Sequence, residues 1–150
     1  QALRQSLRQD PDVILIGELR DVETLRIALH AADTGHQVFS TVHSANAPQT
    51  IERIITMFPP AEHRLLLSQL AGSIEAIVSQ RLITTYEDSR LPAIEILRGS
   101  GVTKNFINEE KLEQLGDYLR EGDAGMQSFD QHILKISACG TGPPAGGGVV

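Results

Sequence analysis

The sequence has little of what anchors or cross-links many proteins. It contains one cysteine, Cys139, among 150 residues, so neither an internal disulfide nor a cysteine-rich zinc site can form. It has no tryptophan and only 4% aromatic residues, so a core built from its 41% hydrophobic residues would be aliphatic. No apolar run approaches the roughly 20 residues of a membrane-spanning helix, and no signal-peptide pattern opens the sequence.

Positive charge is also scarce. The chain carries 13 Lys and Arg against 19 Asp and Glu, a net charge of −6, with a pI near 5.3. Because binding to phosphate backbones needs clustered Lys and Arg, this balance argues against a nucleic-acid or anionic-membrane partner. We therefore expect a cytoplasmic protein, and its length suits one ordinary domain or somewhat more.

The segment Asp10–Asp21, DPDVILIGELRD, is the most informative motif. Its unbroken run of four apolar residues predicts a strand buried on both faces of a helix-covered parallel sheet. Glu18 follows the carboxyl end of that strand, where open α/β sheets bind ligands. A carboxylate there can orient a water or hold Mg²⁺ through its water shell. An ordinary buried strand ending in a solvated Glu gives the same local pattern.

A strand–helix–strand unit is predicted around this motif. Asp21 can cap a helix whose apolar positions recur with helical spacing, and Gly35 supplies a left-handed end. The flanking strands, Val13–Gly17 and Gln37–Val42, should then be parallel with a right-handed crossover.

Further helices and strands are predicted after this strand–helix–strand unit. Pro48 marks the first turn of one helix, and Ser128 with Gln131 forms a capping box for the last one. A hairpin turn is predicted between the two later strands, and we place a domain boundary near Gly99. The remaining predicted elements are a helix over Ala61–Gly72, strands over Ile74–Ile83 and Pro92–Leu97, and helices over Val102–Asn108 and Lys111–Arg120.

Three segments, DPDVILIGELRD, TGHQVFSTVHSANA and GMQSFDQHIL, together resemble the secretion-superfamily motor ATPases, and most closely the retraction ATPases of type IV pili. In that family the first segment is the Walker B box and the second is the histidine box. The resemblance runs from about residue 1 to residue 136. It implies an α/β fold: the C-terminal half of a RecA-like P-loop ATPase core over residues 1–99, then a small helical domain over 100–137. The Gly- and Pro-rich tail, residues 138–150, does not resemble the family and is predicted to be disordered.

The resemblance also implies a function. Members of the family are homo-hexamers that hydrolyse ATP and use Mg²⁺. They lie in the bacterial cytoplasm, where they work with a pilus platform protein of the inner membrane. Here the implied output is pilus retraction, that is, twitching motility. The alternatives are a pilus-assembly or type II secretion ATPase, or a non-catalytic interaction module.

Two features favour the retraction branch. Extension and secretion motors often carry a pair of C-x-x-C motifs, which this sequence lacks. The segment Val102–Glu109, VTKNFINE, resembles the AIRNLIRE motif of retraction motors. Asn105, Ile107 and Glu109 match that motif, whereas Thr103 and Asn108 depart from it.

The family's phosphate-binding loop, G-x-x-x-x-G-K-[ST], does not occur in this sequence. Neither does the acidic box that precedes Walker B in relatives. Without the loop there is no nest of backbone N–H groups and no Lys for the β- and γ-phosphates. We therefore expect a C-terminal portion of a longer motor subunit that does not hydrolyse ATP by itself.

The resemblance assigns Glu18 and His43 as catalytic residues, and Gly17 with Glu18 as nucleotide-binding residues. No metal is expected to be bound directly, since Glu18 would hold Mg²⁺ through a bound water. His43 would hydrogen-bond the γ-phosphate or the Walker B acid and report the nucleotide state. Which acid is the general base stays open, because the upstream acidic box is not available for comparison.

His36 begins the strand that His43 follows, so the two lie roughly 23 Å apart along an extended chain. They cannot share a metal or a phosphate, and we expect a structural or interface role for His36. A zinc site built from Glu18 and the histidines is the alternative, without any matching ligand spacing. Arg20 and Arg81 are candidates for an arginine supplied to a neighbouring subunit.

Overall fold

The computed structural model describes residues 11–85, 88–122 and 125–138. Strands and helices alternate at first and give way to helices at the end. The strands are β1 (Val13–Ile16), β2 (Gln37–Ser40), β3 (Ala76–Thr84) and β4 (Arg90–Arg98); the helices are α1 (Val22–Asp33), α2 (Ala47–Thr56), α3 (His63–Ser73), α4 (Gly101–Asn108), α5 (Leu112–Glu121) and α6 (Phe129–Ala138). A short 3₁₀ turn, Pro60–Glu62, precedes α3. The predicted mixed α/β fold is confirmed.

The predicted strand–helix–strand unit with parallel strands is confirmed, and the right-handed crossover stays a prediction. β1 and β2 are parallel, with Ile14 opposite Val38. The Asp21 carboxylate caps α1, accepting a hydrogen bond from the Thr24 backbone N–H at 2.7 Å. After the helix, Gly35 adopts a positive φ of 95°, a conformation that glycine takes without steric cost. The chain thus reverses twice within about thirty residues and brings both strand ends to the same edge.

The expectation that β1 is buried on both faces was wrong. Ile14 and Ile16 are buried in the main hydrophobic cluster, but Val13 and Leu15 are exposed, Leu15 by 79%. A run of four apolar residues looks the same in sequence whether one or both faces of the strand are covered. The strands are also shorter than predicted, because regular pairing stops at Ile16 and Ser40.

The helices α2 and α3 supply much of the core. The Asn46 side chain caps α2, accepting from the Gln49 backbone N–H at 2.9 Å, and Pro48 lies in the first turn as predicted. The apolar stripe of α2 is buried, and α3 buries Leu66, Leu67 and Leu70. α3 begins two residues later than predicted, because the chain after Pro60 first forms the 3₁₀ turn.

β3 and β4 form the predicted antiparallel hairpin, with Ser79 opposite Glu95. The hairpin ends at Gly99, whose backbone N–H donates to the Glu75 carbonyl at 2.8 Å. A Cβ at this position would clash with the Ile74 carbonyl, so the close approach of the two chain segments requires glycine.

The C-terminal helices pack on the earlier elements. One hydrophobic cluster contains Ile107, Leu115 and Leu119 together with Ile51 and Leu66. The capping box of α6 is confirmed, since the Ser128 N–H donates to the Gln131 side chain at 3.0 Å and Ser128 Oγ accepts from the Gln131 N–H at 3.3 Å.

The division near Gly99 into a partial core (residues 1–99) and a helical domain (100–137) stays a prediction. The predicted disorder of the tail falls on residues that, apart from Ala138, lie outside those described. Within the described ranges, no helix combines the length and apolar character needed to cross a membrane.

Candidate functional site

The loops that follow β1 and β2 are joined to each other directly. The Leu19 backbone N–H donates to the Thr41 carbonyl at 3.0 Å, and Thr41 Oγ1 donates to the Gly17 carbonyl at 2.6 Å. These bonds extend the contact between the two chain segments beyond the last paired residues of the strands. They hold Glu18 and His43 side by side at the carboxyl edge of the sheet.

Glu18 and His43 are in contact. The His43 Nε2 atom lies 3.3 Å from Glu18 Oε1. The Glu18 side chain is 20% exposed, whereas the His43 ring is 79% exposed, so the carboxylate is sheltered and the imidazole projects into solvent. The prediction that these two side chains meet at adjacent strand tips is therefore confirmed as geometry, while their catalytic roles stay a prediction.

The second carboxylate oxygen of Glu18 also has a partner. Arg20 Nε donates to Glu18 Oε2 at 2.5 Å, and the Arg20 side chain is largely exposed. One guanidinium and one imidazole thus fix the orientation of the carboxylate from two sides. Each carboxylate oxygen can accept a further hydrogen bond, so the group can still orient a water at the open edge.

Gly17 stands in open space. Within the part of the chain that the structure describes, a Cβ at this position would have no heavy atom within 4 Å other than those of Gly17 and its two chain neighbours. Its backbone carbonyl accepts the Thr41 hydroxyl bond described above. The edge beside Glu18 is therefore uncrowded, and the nucleotide-binding assignment of Gly17 stays a prediction.

His36 takes no part in this arrangement. It lies just before β2, at the opposite end from His43, and its Nδ1 is 3.0 Å from the Ala31 carbonyl and 3.1 Å from Thr34 Oγ1. These contacts tie the ring to the C-terminal turn of α1. They are consistent with the structural role predicted for His36, and within the described residues no group of three or more His, Cys, Asp or Glu is placed to hold a metal.

The two candidate arginines both have partners in their own chain. Arg20 pairs with Glu18, as described, whereas Arg81 lies far along the sequence on β3. Arg81 Nε donates to the Ala45 carbonyl at 3.0 Å, and its guanidinium carbon lies 4.6 Å from the centre of the Phe129 ring. Both stay candidates for an arginine supplied to a neighbouring subunit, and the choice between them stays open.

Glu95 was not among the residues predicted from the sequence. This side chain is only 6% exposed, and its Oε1 accepts a hydrogen bond from the Ala47 backbone N–H, at the start of α2, at 2.8 Å. Burial raises the pKa of Glu95, while the bonds from Ala47 and Ser79 and the charge of Arg81 act against that rise. The available signal was a single acid within the otherwise apolar run of β4.

The structural role of His132 was also not predicted from the sequence. Its Nδ1 accepts a hydrogen bond from the Ile94 backbone N–H at 2.9 Å, which attaches α6 to β4. His63 is half-buried, and its Nε2 lies 2.9 Å from the Phe58 carbonyl. Neither histidine is placed with the Glu18 and His43 pair.

Comparison with known proteins gives a consistent result. The family model described as "Type II/IV secretion system protein" matches residues 1–114. The chain is 42% identical over 141 residues to the type IV pilus retractation ATPase PilT of Pseudomonas aeruginosa, covering 93% of this chain and 41% of that protein. It is 43% identical over 137 residues to a twitching motility protein of Neisseria gonorrhoeae, covering 90% of this chain and 37% of that protein.

A solved structure shares the fold. The crystal structure of the pilus retraction motor PilT with bound ADP superposes with a TM-score of 0.83 at 38% identity, covering 93% of this chain and 39% of that chain. The sequence therefore spans about two fifths of the length of these two relatives.

Proposed function

The chain belongs to the type II/IV secretion system protein family, and on that basis we propose that it is part of an ATP-hydrolysing hexameric motor that drives type IV pilus retraction. The contact between Glu18 and His43 at the carboxyl edge of the parallel strands carries this proposal, because it gives the Walker B acid and the histidine box a common location. The similarity to retraction ATPases over most of this chain supports the choice of output.

The residues at this edge fit a nucleotide with its metal. Glu18 is sheltered but not closed off, and the space beside Gly17 is open. When bound, Mg²⁺ and ATP would supply the reactive γ-phosphate and neutralise its charge. Glu18 would accept a hydrogen bond from a water that is bound to the metal or positioned to attack the phosphate. The exposed imidazole of His43 would hydrogen-bond a phosphate oxygen.

Three roles are divided between the named residues. Glu18 polarises the attacking water or holds a metal-bound water, and Gly17 leaves room for the nucleotide. His43 contacts Glu18 and would hydrogen-bond the γ-phosphate of a bound nucleotide, so it would report the nucleotide state to the loop that follows it. The acid that acts as general base is Glu18 or one supplied by a part of the motor that this sequence does not contain.

The 150 residues alone would not turn over ATP. The phosphate-binding loop motif does not occur in them, and backbone N–H groups with a Lys are needed to hold the β- and γ-phosphates. We place the complete motor in the bacterial cytoplasm, as a homo-hexamer that works on an inner-membrane pilus platform protein. The isolated chain would act as an interaction module at most.

Glu18→Gln tests the proposal in a longer protein that joins this sequence to a phosphate-binding loop. The change is nearly isosteric but removes the charge that positions or deprotonates water. Nucleotide binding should persist, while ATP turnover should fall by at least about a hundredfold, since general-base steps contribute on the order of 10²–10⁴-fold. Steady-state ATPase rates and nucleotide affinity are the two measurements.

Glu23→Gln is a matched control, because Glu23 lies in the first turn of the neighbouring helix α1 and has no assigned role in the site. Turnover should stay near the unmodified rate in that variant. Near-normal turnover in Glu18→Gln would contradict the Walker B assignment. Mg²⁺-dependent ATPase activity from the 150-residue chain alone would contradict the expected need for a phosphate-binding loop.

A further inference from the structure

The loop that carries His43, residues 41–46 between β2 and α2, has no regular backbone structure. Its position therefore depends on individual hydrogen bonds. At its start, Thr41 is bonded to the Glu18 turn, as described above. Near its end, Ser44 Oγ lies 2.6 Å from Thr50 Oγ1 on α2. The remaining ties come from a distant part of the sequence.

Two residues of the β3–β4 hairpin form hydrogen bonds with the backbone at the end of this loop. Arg81 on β3 donates from Nε to the Ala45 carbonyl at 3.0 Å, and Glu95 on β4 accepts from the Ala47 N–H at 2.8 Å. The two backbone groups lie on either side of Asn46, the capping residue of α2. Because Ser79 pairs with Glu95 and side chains alternate along a strand, Arg81 and Glu95 share one face of the hairpin.

The side chains of Arg81 and Glu95 are themselves held in place. Glu95 is almost fully buried, so its carboxylate has little freedom to exchange the Ala47 N–H for water. The Arg81 guanidinium lies over the Phe129 ring of α6, which adds a cation–π attraction that restrains the group. A planar guanidinium restrained in this way can direct Nε at one carbonyl.

The hairpin is in turn braced by the segment around α6. The Ile96 N–H donates to the Gln127 carbonyl at 2.7 Å and the Gln127 N–H donates back at 3.0 Å. The bond from the Ile94 N–H to His132 adds a third tie on the same strand. The hairpin is therefore a supported element against which a loop can be positioned.

We propose that Arg81 and Glu95 form a hairpin clamp whose task is to position His43 at the Glu18 site. The two are positioning residues, because they touch the backbone two and four residues after His43 and neither is in contact with Glu18 in the bonds described. The role in turnover rests on the function proposed above for His43. The clamp itself does not, because it can be measured without nucleotide.

The first experiment uses the 150-residue chain and amide hydrogen exchange. Glu95→Leu removes the acceptor for the Ala47 N–H, whereas Glu95→Gln keeps a carbonyl oxygen there. Exchange at Ala47 should become about tenfold faster in Glu95→Leu and change little in Glu95→Gln. Exchange of the α1 amides is the internal reference for global stability. An unchanged Ala47 rate, or an equal increase in α1, would overturn the clamp.

The second experiment is a double-mutant cycle in the longer protein with a phosphate-binding loop. Arg81→Met keeps the length of the side chain but loses its charge and its bond to Ala45. It should lower kcat by about tenfold when His43 is present and by less than about twofold in the His43→Ala background, because coupled residues are not additive. Arg90→Met, an exposed arginine on the same hairpin, is the control and should leave kcat unchanged.

The outcomes separate the two proposals. If Arg81→Met lowers kcat equally in both backgrounds, Arg81 does not act through His43 and the clamp's role in turnover is refuted. If Glu18→Gln keeps its turnover, the proposed function fails, and the exchange measurement still decides whether the clamp exists. Thermal melting of each variant shows whether it folds, and Glu95→Ala, which also removes the acceptor for the Ala47 N–H, replaces Glu95→Leu if that variant does not fold.

Discussion

Glu95 shows how one buried side chain links distant parts of this molecule. Among the described residues it is the one charged residue that is buried, and it bonds to a backbone group 48 positions earlier in the chain. Leaving a buried donor such as the Ala47 N–H without an acceptor is costly. The acid therefore stabilises the start of α2 even though burial disfavours its charged form.

That conflict gives a pH prediction for Glu95. Burial raises its pKa in the folded protein above the ordinary value of 4.5, despite the bonds and charges that act in the other direction. The stability that this group contributes is therefore fully present below about pH 4.5 and is lost as the pH rises through the folded pKa. Glu95→Gln does not titrate but still offers an acceptor to Ala47.

The unfolding free energy of Glu95→Gln, relative to the unmodified chain, should therefore increase as the pH is raised from 4 towards neutrality. Urea unfolding of both proteins at a series of pH values measures this difference, and other titrating groups cancel in the comparison. A difference that stays flat or falls with pH would show that burial does not dominate the titration of this carboxyl group.

His43 and His36 should differ in the kind of loss that they cause. His43→Ala removes an imidazole next to Glu18, so turnover of the complete motor should fall roughly tenfold to a hundredfold, as expected for a hydrogen bond to a charged group. His36→Ala removes the contacts with Ala31 and Thr34 and should lower the unfolding free energy by about 1 kcal/mol. Parallel ATPase and urea-unfolding measurements on both variants separate the two. Equal effects on turnover would mean that the two histidines have no distinct roles.

Among the secondary-structure elements, those predicted correctly are the ones with local signals. The Asp21 cap, the Gly35 reversal and the Ser128 and Gln131 capping box each act within a few residues, so the sequence alone reveals them. The adjacency of Glu18 and His43 followed from the parallel strands, because their carboxyl ends share one edge.

The contacts that could not be predicted join elements far apart in sequence. The bond from Ile94 to His132 and the stacking of Arg81 on Phe129 depend on which face of the hairpin meets α6, and periodicity does not determine that choice. The exposed face of β1 was missed for a related reason. A short apolar run does not indicate how many layers cover the sheet.

The helix α4 has one face packed in the core and another face exposed to solvent, where a partner could bind. Thr103 and Ile107 are fully buried, whereas Asn105 and Glu109, which match the AIRNLIRE motif, are exposed. Asn105→Ala and Glu109→Ala should therefore change stability by less than about 0.5 kcal/mol. In the complete motor they should leave ATP turnover largely intact and abolish twitching motility, if this helix engages the pilus machinery.

Asn108→Ala is the matched control for α4, because Asn108 is also exposed on the same helix but departs from the motif. ATPase rates and a surface-motility assay on the three variants test the idea. Normal motility in both Asn105→Ala and Glu109→Ala, or a parallel loss of turnover, would show that this helix does not transmit the mechanical output.

On the scale of the whole molecule, the β1–β2 sheet has one covered face and one apolar face open to solvent. Leu15 and Phe39 pair across the two strands, and both are more than half exposed, as is Val13. The relatives that this chain matches are more than twice its length. If the proposed function holds, part of that additional length packs against this face and completes the core.

Leu15→Thr should therefore have little effect on the stability of the short protein and a large one on that of the long protein. Threonine suits a strand, so in the 150-residue chain, where Leu15 is exposed, the unfolding free energy should change by less than about 0.5 kcal/mol. In the longer protein, burial of Leu15 would make the same change cost about 2 kcal/mol or more. Ile14→Thr, on the buried face, should be costly in both. Urea unfolding of both variants in both proteins gives the comparison, and an equally small effect of Leu15→Thr in the two would mean that this face stays uncovered in the complete motor.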